Sequence, residues 1–251
     1  GAGAATLLSQ CFSMTFLFCL LISSKSELKI RPCYIARTPV IYFRILKQGM
    51  PSFWRQGVLS LATMCLNYNA RLYGDAAVAA LAIVSKVFQI VNSVIIGFGQ
   101  GFQPVLGFNC GAGRMDRVKE AVSFSVKTCA IILSISAVVG FIFAPHIVTL
   151  FRDDPMVIDI GTRVFRRQAL VMPTFSVAVF SNMFFQALGK SWRATILAIA
   201  RPGFLIPMSF LLTRVFGLTG LELAQPVADF LSFLIGAGIM IHYFKCEFGK
   251  E

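Results

Sequence analysis

Few side chains in this sequence could do chemistry, and the three that matter fall deep inside apolar runs: Lys86, Arg201 and Asp229. A charge in hydrocarbon is costly, so such residues face a bundle interior, pair with one another or mark a functional path. Lys86 and Asp229 carry opposite charges, which makes a Lys86–Asp229 pair the first expectation; the alternative is that either meets a residue outside this sequence. Arg201 is followed by Pro202 and Pro207, and proline frees carbonyls in a helix interior, so Arg201 is expected to bond to freed carbonyls. Glu222 and Arg71 read as interfacial. Enzymatic chemistry has little footing. His146 and His242 lie at the ends of apolar runs, and no His, Asp or Glu cluster within them has metal-ligand spacing. Gly107–Gly113 lacks the Lys-Ser/Thr ending of a phosphate loop. No catalytic residue, metal site or cofactor is expected.

The uncharged polar residues are more numerous and patterned. At about 100° per residue, the run near 76–104 places Ser85, Gln89, Asn92, Gln100 and Gln103 on one arc, with Lys86 at its border. The run near 51–72 aligns Gln56, Ser60, Thr63 and Asn67, and that near 166–188 aligns Gln168, Met172, Phe175, Asn182 and Gln186. Near 218–244, Glu222, Asp229, Phe233, Gly236 and Met240 align. An amide buried in hydrocarbon without partners costs about 2–7 kcal/mol, so the stripes must turn toward one another or toward water. For any single amide, interhelical bonding worth about 0.6 kcal/mol is the simpler role. Taken together they point to a polar cavity suited to varied amphipathic molecules. Its candidate lining is Gln56, Asn67, Gln89, Asn92, Asn182 and Gln186. Gly97 and Gly101 have the small-xxx-small spacing of a close helix contact, and beside Gln103 the helix is expected to end at Pro104.

These residues need a membrane around them. The chain is 57% hydrophobic and only 14% charged, with mean hydropathy +0.75, which indicates an all-α membrane protein. The net charge of +12 would suggest a nucleic-acid partner in a soluble chain. Here the cations sit mostly between apolar runs and read as topology signals, with the bilayer as partner and no nucleic acid. Seven cysteines without a C-x-x-C pair read as free thiols. A span needs roughly 20 apolar residues, and on that measure there are about seven: Ala2–Ile22, then near 51–72, 76–104, 121–144, 166–188, 194–215 and 218–244. The apolar opening Gly-Ala-Gly-Ala-Ala, without a basic n-region, reads as the interior of a membrane helix and not as a signal peptide. Ser23–Gln48 reads as a basic cytoplasmic connector, with Thr38-Pro39 starting an interfacial helix and 49–251 forming the main bundle. Asp154-Pro155 reads as another helix start. One loop breaks the alternation: Arg152, Arg163, Arg166 and Arg167 cluster on the side expected to be outside.

At this point specific motifs become informative. Gly99-Gln-Gly-Phe-Gln-Pro-Val-Leu-Gly-Phe-Asn-Cys-Gly-Ala-Gly-Arg114, followed by Arg117-Val-Lys-Glu-Ala121, resembles the end of the eighth helix in bacterial multidrug and toxic compound extrusion (MATE) transporters. Phe185-Gln-Ala-Leu-Gly-Lys190, Arg201-Pro-Gly-Phe-Leu-Ile-Pro207, Phe216–Gly220 and Pro226–Asp229 are similar to that family's tenth to twelfth helices. The resemblance implies a two-lobed, twelve-helix antiporter of the inner membrane that exports small organic, often cationic compounds. This sequence would supply the end of helix six, the connector and the carboxyl-terminal six-helix transmembrane bundle, with a missing amino-terminal lobe as partner. Some branches place a cation-binding Glu in helix seven and an Asp in helix ten; residues 51–72 and 166–188 contain no acid. Coupling to H⁺ or Na⁺ is therefore expected in the missing lobe. The competing expectations are a related lipid-carrier flippase, signalled by a deep basic groove at Lys86 and Arg201, and a non-transporting membrane remnant or scaffold.

Overall fold

The computed structural model describes residues 2–22 and 38–246, which form helices joined by short turns. In chain order they are α1 (Ala2–Ile22), α2 (Pro39–Arg71), α3 (Asp75–Gly111), α4 (Met115–Phe151), α5 (Pro155–Val171), α6 (Phe175–Ala187), α7 (Ser191–Phe216) and α8 (Leu218–Cys246), with a single 3₁₀ turn, Met172–Thr174, between α5 and α6. The expected basic connector lies outside the described residues up to residue 37. The chain divides into two compact units, residues 1–45 and 46–251. The first holds α1, where Phe12 and Phe16 stack, and the opening turns of α2, which begins at Pro39 as expected. The second is a helical bundle.

Among the described residues, six helical segments are long and apolar enough to cross a membrane: α1, α3, α4, α5 with α6, α7 and α8. The chain is thus a multi-pass membrane protein. The count falls one short of the sequence reading because α2, with Arg55, Gln56, Asn67, Asn69 and Arg71 along it, is not among the six. The helix of the fifth crossing starts at Pro155, as expected, where the Asp154 side chain accepts a hydrogen bond from the Met156 N–H at 3.0 Å and caps it. Pro173 sits in the 3₁₀ turn that interrupts this crossing, since it has no N–H to continue the ladder.

Pro104 does not end α3, which runs on for two more turns. A membrane helix tolerates one missing N–H when its neighbours are protein. The helix stops at Gly113 instead, whose φ of 69° is left-handed. Gly113 N–H bonds to Cys110 O at 3.1 Å and Arg114 N–H to Asn109 O at 3.0 Å, the paired geometry that closes a helix on a glycine.

Two buried clusters hold the bundle together. One gathers Phe88, Ile95, Leu106, Leu133, Phe180, Phe184, Phe185 and Tyr243; the other gathers Leu66, Leu81, Val84, Val148, Val157, Phe165, Leu221 and Ala228. Large apolar residues such as Ile90, Val94, Ile131, Leu211 and Phe230 face outward, as lipid-facing surfaces do. Glycines set the close approaches, but not the pair expected. Among the described residues, no atom beyond the helix's own nearby backbone lies within 4 Å of where a Cβ would stand on Gly97 or Gly101, whereas a Cβ on Gly99 would overlap the Met183 thioether of α6. The contact face of α3 is rotated by two residues from the small-xxx-small reading, because Phe102 and Leu106 lie with Gly99 on the buried side. At the α7–α8 turn, Gly220 comes closest of all: a Cβ there would strike the Leu212 carbonyl.

Candidate functional site

Asp229 lies on the buried stripe of α8, and its carboxylate is 3% exposed. Arg201 of α7 reaches it through Nε, with Nη2 at 3.5 Å from Oδ2, and Gln168 of α5 donates to it as well. The Arg201 guanidinium also lies 5.4 Å over the Phe175 ring of α6. One carboxylate thus draws α5, α7 and α8 together, with α6 completing the group. A charge buried among helices must be satisfied in this way, since losing its partner leaves an uncompensated ion. Lys86 is exposed and takes no part, so the expected Lys86–Asp229 pair is replaced by Arg201–Asp229. The reason lies in the sequence: Pro202 and Pro207 both fall inside a helix that continues through them, and Arg201 finds a full negative charge in place of freed carbonyls.

A second ionic group uses the arginines that broke the topology pattern. Glu222, read as interfacial, is 2% exposed and receives Arg163 at 3.2 Å and Arg167. Arg163 also bonds to Asp159, Arg167 to Thr219 O, Arg152 to Asp154, and Arg166 to Phe141 O. Arg163 and Arg167 thus tie α5 to α8, and Arg166 ties it to α4.

A polar-lined pocket opens among α2, α3, α6 and α7. It has a volume of about 640 Å³ and is lined by Ser52 and Arg55 of α2, Gln100, Gln103 and Pro104 of α3, Asn182, Met183 and Gln186 of α6, and Ala198 of α7. Gln103 donates to Gln186 at 3.0 Å, and Gln186 donates to Ser52 at 3.3 Å, a relay across α3, α6 and α2. Asn182 is fixed by donating to Ala194 O of α7 at 2.6 Å. Of the candidate lining, Asn182 and Gln186 are here, joined by Gln103 and Pro104 from the expected helix-contact group. Gln56, Asn67 and Gln89 are exposed and lie outside this wall; Asn92 is half-buried elsewhere on α3, with an enclosed Oδ1 that has no hydrogen-bond partner among the described residues. In place of Asn67, the buried amide of α2 is Asn69, which contacts Cys65 O and Ser209. Arg55 and Ser52 were missed because they lie off the Gln56–Ser60–Thr63–Asn67 stripe read for the run near 51–72. The interval Ser52–Gln56 does place Ser52 and Arg55 about one turn apart, the signal that could have found them. Among the described residues no group of three His, Cys, Asp or Glu could hold a metal ion.

Long apolar helices enclosing an amide-lined cavity and buried ion pairs define a helical, multi-pass membrane protein. Residues 51–211 match the MatE family, and the chain belongs to it. It is 27% identical over 94% of its length to the multidrug export protein MepA of Staphylococcus haemolyticus, and 23% identical over 97% to that of Staphylococcus saprophyticus. It spans about half the length of these curated relatives, 53% in both cases. Among solved structures, a MOP superfamily transporter from Pyrococcus furiosus superposes with a TM-score of 0.86 at 20% identity, over 98% of this chain and 57% of that one. An outward-facing multidrug resistance MATE family transporter gives 0.84 at 20% identity, over 97% and 56%. The fold is therefore that of these transporters.

Proposed function

We propose that this chain is one lobe of a multidrug exporter that carries small organic, often cationic compounds out of the cell by alternating access in the inner membrane. The observation that carries this reading is the amide-lined cavity at Asn182 and Gln186, whose volume falls in the range of small-molecule sites, about 300–1,000 Å³. Amides, a serine and Met183 offer adaptable, individually weak contacts, which suits a broad substrate range. Relatives named multidrug export proteins support the same assignment. The partner is an amino-terminal lobe that completes the cleft, and the coupling ion, H⁺ or Na⁺, binds in that lobe. Both buried acids of this bundle are already engaged, Asp229 by Arg201 and Gln168 and Glu222 by Arg163 and Arg167. That same engagement of Arg201 argues against the lipid-flippase alternative.

The test is ion-driven efflux of a fluorescent organic cation from vesicles carrying the native transporter. The Gln103→Leu and Gln186→Leu double substitution is expected to lower efflux about tenfold, because it breaks the Gln103–Gln186–Ser52 relay that sets the shape of the wall, while Gln89→Leu stays within about twofold. Failure of the unsubstituted protein to drive any export under an H⁺ or Na⁺ gradient would remove the exporter reading and favour a non-transporting scaffold.

A further inference from the structure

The cavity at Asn182 and Gln186 carries a charge. Among the described residues that line it, Arg55 is the one ionisable side chain, and no acid joins it there. Arg55 stands at the midpoint of the 33-residue α2, away from either helix end, and its side chain is exposed. Other arginines of the bundle are committed: Arg163 and Arg167 to Glu222, and Arg201 to Asp229. Arg55 is not. Among the described residues it has no hydrogen bond, ion pair or ring contact. A cation along a membrane helix without a partner faces a water-filled path and marks a functional position.

The groups around it extend the same chemistry. Ser52 lies one turn before Arg55 on the same face of α2. Its Oγ accepts from Gln186 at 3.3 Å, which leaves the hydroxyl hydrogen free to donate to a guest. The wall thus offers a charged fork and a neighbouring donor, beside the apolar surface of Ile96, Pro104 and Ala198. A guanidinium matches the two oxygens of a carboxylate, and a charge-assisted hydrogen bond is about twice as strong as a neutral one. The amides of Gln103 and Gln186 are spent on one another and on Ser52, so they supply no such attraction.

We propose that Arg55 selects organic compounds that carry a carboxylate, zwitterions included, with Ser52 donating to the same group. This rests on the exporter reading in taking the cavity as the substrate site. A ring system with an acid at its edge sets the acid on Arg55 and its body along Ile96, Pro104 and Met183. A guest with a positive charge alone gains no partner here and is repelled by the guanidinium.

Rhodamine B and its ethyl ester are matched probes, since they share one cationic ring system and differ in whether the carboxylate is free. In anisotropy titrations of the native transporter in neutral detergent at neutral pH, rhodamine B is expected to bind about tenfold more tightly than the ester, the low end for a charge-assisted contact because Arg55 is exposed. Arg55→Gln should bring this ratio to near one, and Arg55→Lys should keep part of it. Gln89→Leu, outside the wall, should leave the ratio as in the parent. Equal binding of the two dyes by the parent, or an unchanged ratio in Arg55→Gln, would overturn the assignment. Ion-driven efflux from vesicles separates it from the exporter reading. Export of both dyes with equal KM would sink the carboxylate selection and leave the exporter standing, whereas the binding preference without export of either dye would keep the selection and remove the exporter.

Discussion

Replacing Asp229 with alanine is expected to destabilise the bundle by about 3–5 kcal/mol, because it strands the Arg201 guanidinium among α5, α7 and α8 without its counter-ion. Gln168 would lose its acceptor at the same time, and its Oε1 already lacks a hydrogen-bond partner among the described residues. The cost belongs to breaking the pair and not to lacking it. Asp229→Leu combined with Arg201→Met should therefore recover most of the loss, since an apolar replacement of a buried pair is often neutral or better. A double-mutant cycle on unfolding in mixed detergent measures the coupling directly. Lys86→Met, at an exposed position, should change stability by less than about 0.5 kcal/mol. If Lys86→Met proved as damaging as Asp229→Ala, the Arg201–Asp229 assignment would be wrong.

The second large effect is expected at Gly220. A Cβ there would run into the Leu212 carbonyl and lie 2.9 Å from the Thr213 nitrogen, all main-chain atoms of the preceding helix that cannot swing aside. Gly220→Ala should open the α7–α8 hairpin and cost at least about 3 kcal/mol, the upper end for overpacking. Gly99→Ala is the informative contrast. Its new methyl would overlap only the Met183 thioether, the end of a flexible side chain, so the cost should stay near about 1 kcal/mol. Thermal unfolding of both variants by size-exclusion in detergent separates the two cases; equal midpoints would mean that the hairpin is looser than its backbone geometry implies.

The sequence shows the helices more clearly than their faces. Hydropathy and caps are local, so Asp154-Pro155, Thr38-Pro39 and the long apolar runs can be read directly from residue order. Pro104 misleads because a proline costs one N–H, and whether that ends a helix depends on the neighbours around it, which no local pattern reveals. The same holds for Gly97 and Gly101: spacing shows that two glycines share a face, not that another helix lies on it. Among the candidate cavity residues, the wall formed by Asn182 and Gln186 was legible because α6 has few other polar positions. On α3 the polar arc is long, and only its Gln100–Gln103 end meets α6, so Gln89 and Asn92 lie beyond the wall. The partner of Asp229 needed a long-range choice between Lys86 and Arg201 that periodicity cannot make.

The relay from Gln103 through Gln186 to Ser52 has a consequence for what can dwell in the cavity. Its amides already bond to one another, so an incoming guest that claims the Gln186 carboxamide must exchange one hydrogen bond for another of nearly equal worth. Recognition by these amides then adds little net affinity. Dwell time falls instead to greasy area and to how well a molecule's outline matches the walls, a basis on which chemically unrelated compounds score alike and none is held too long to leave.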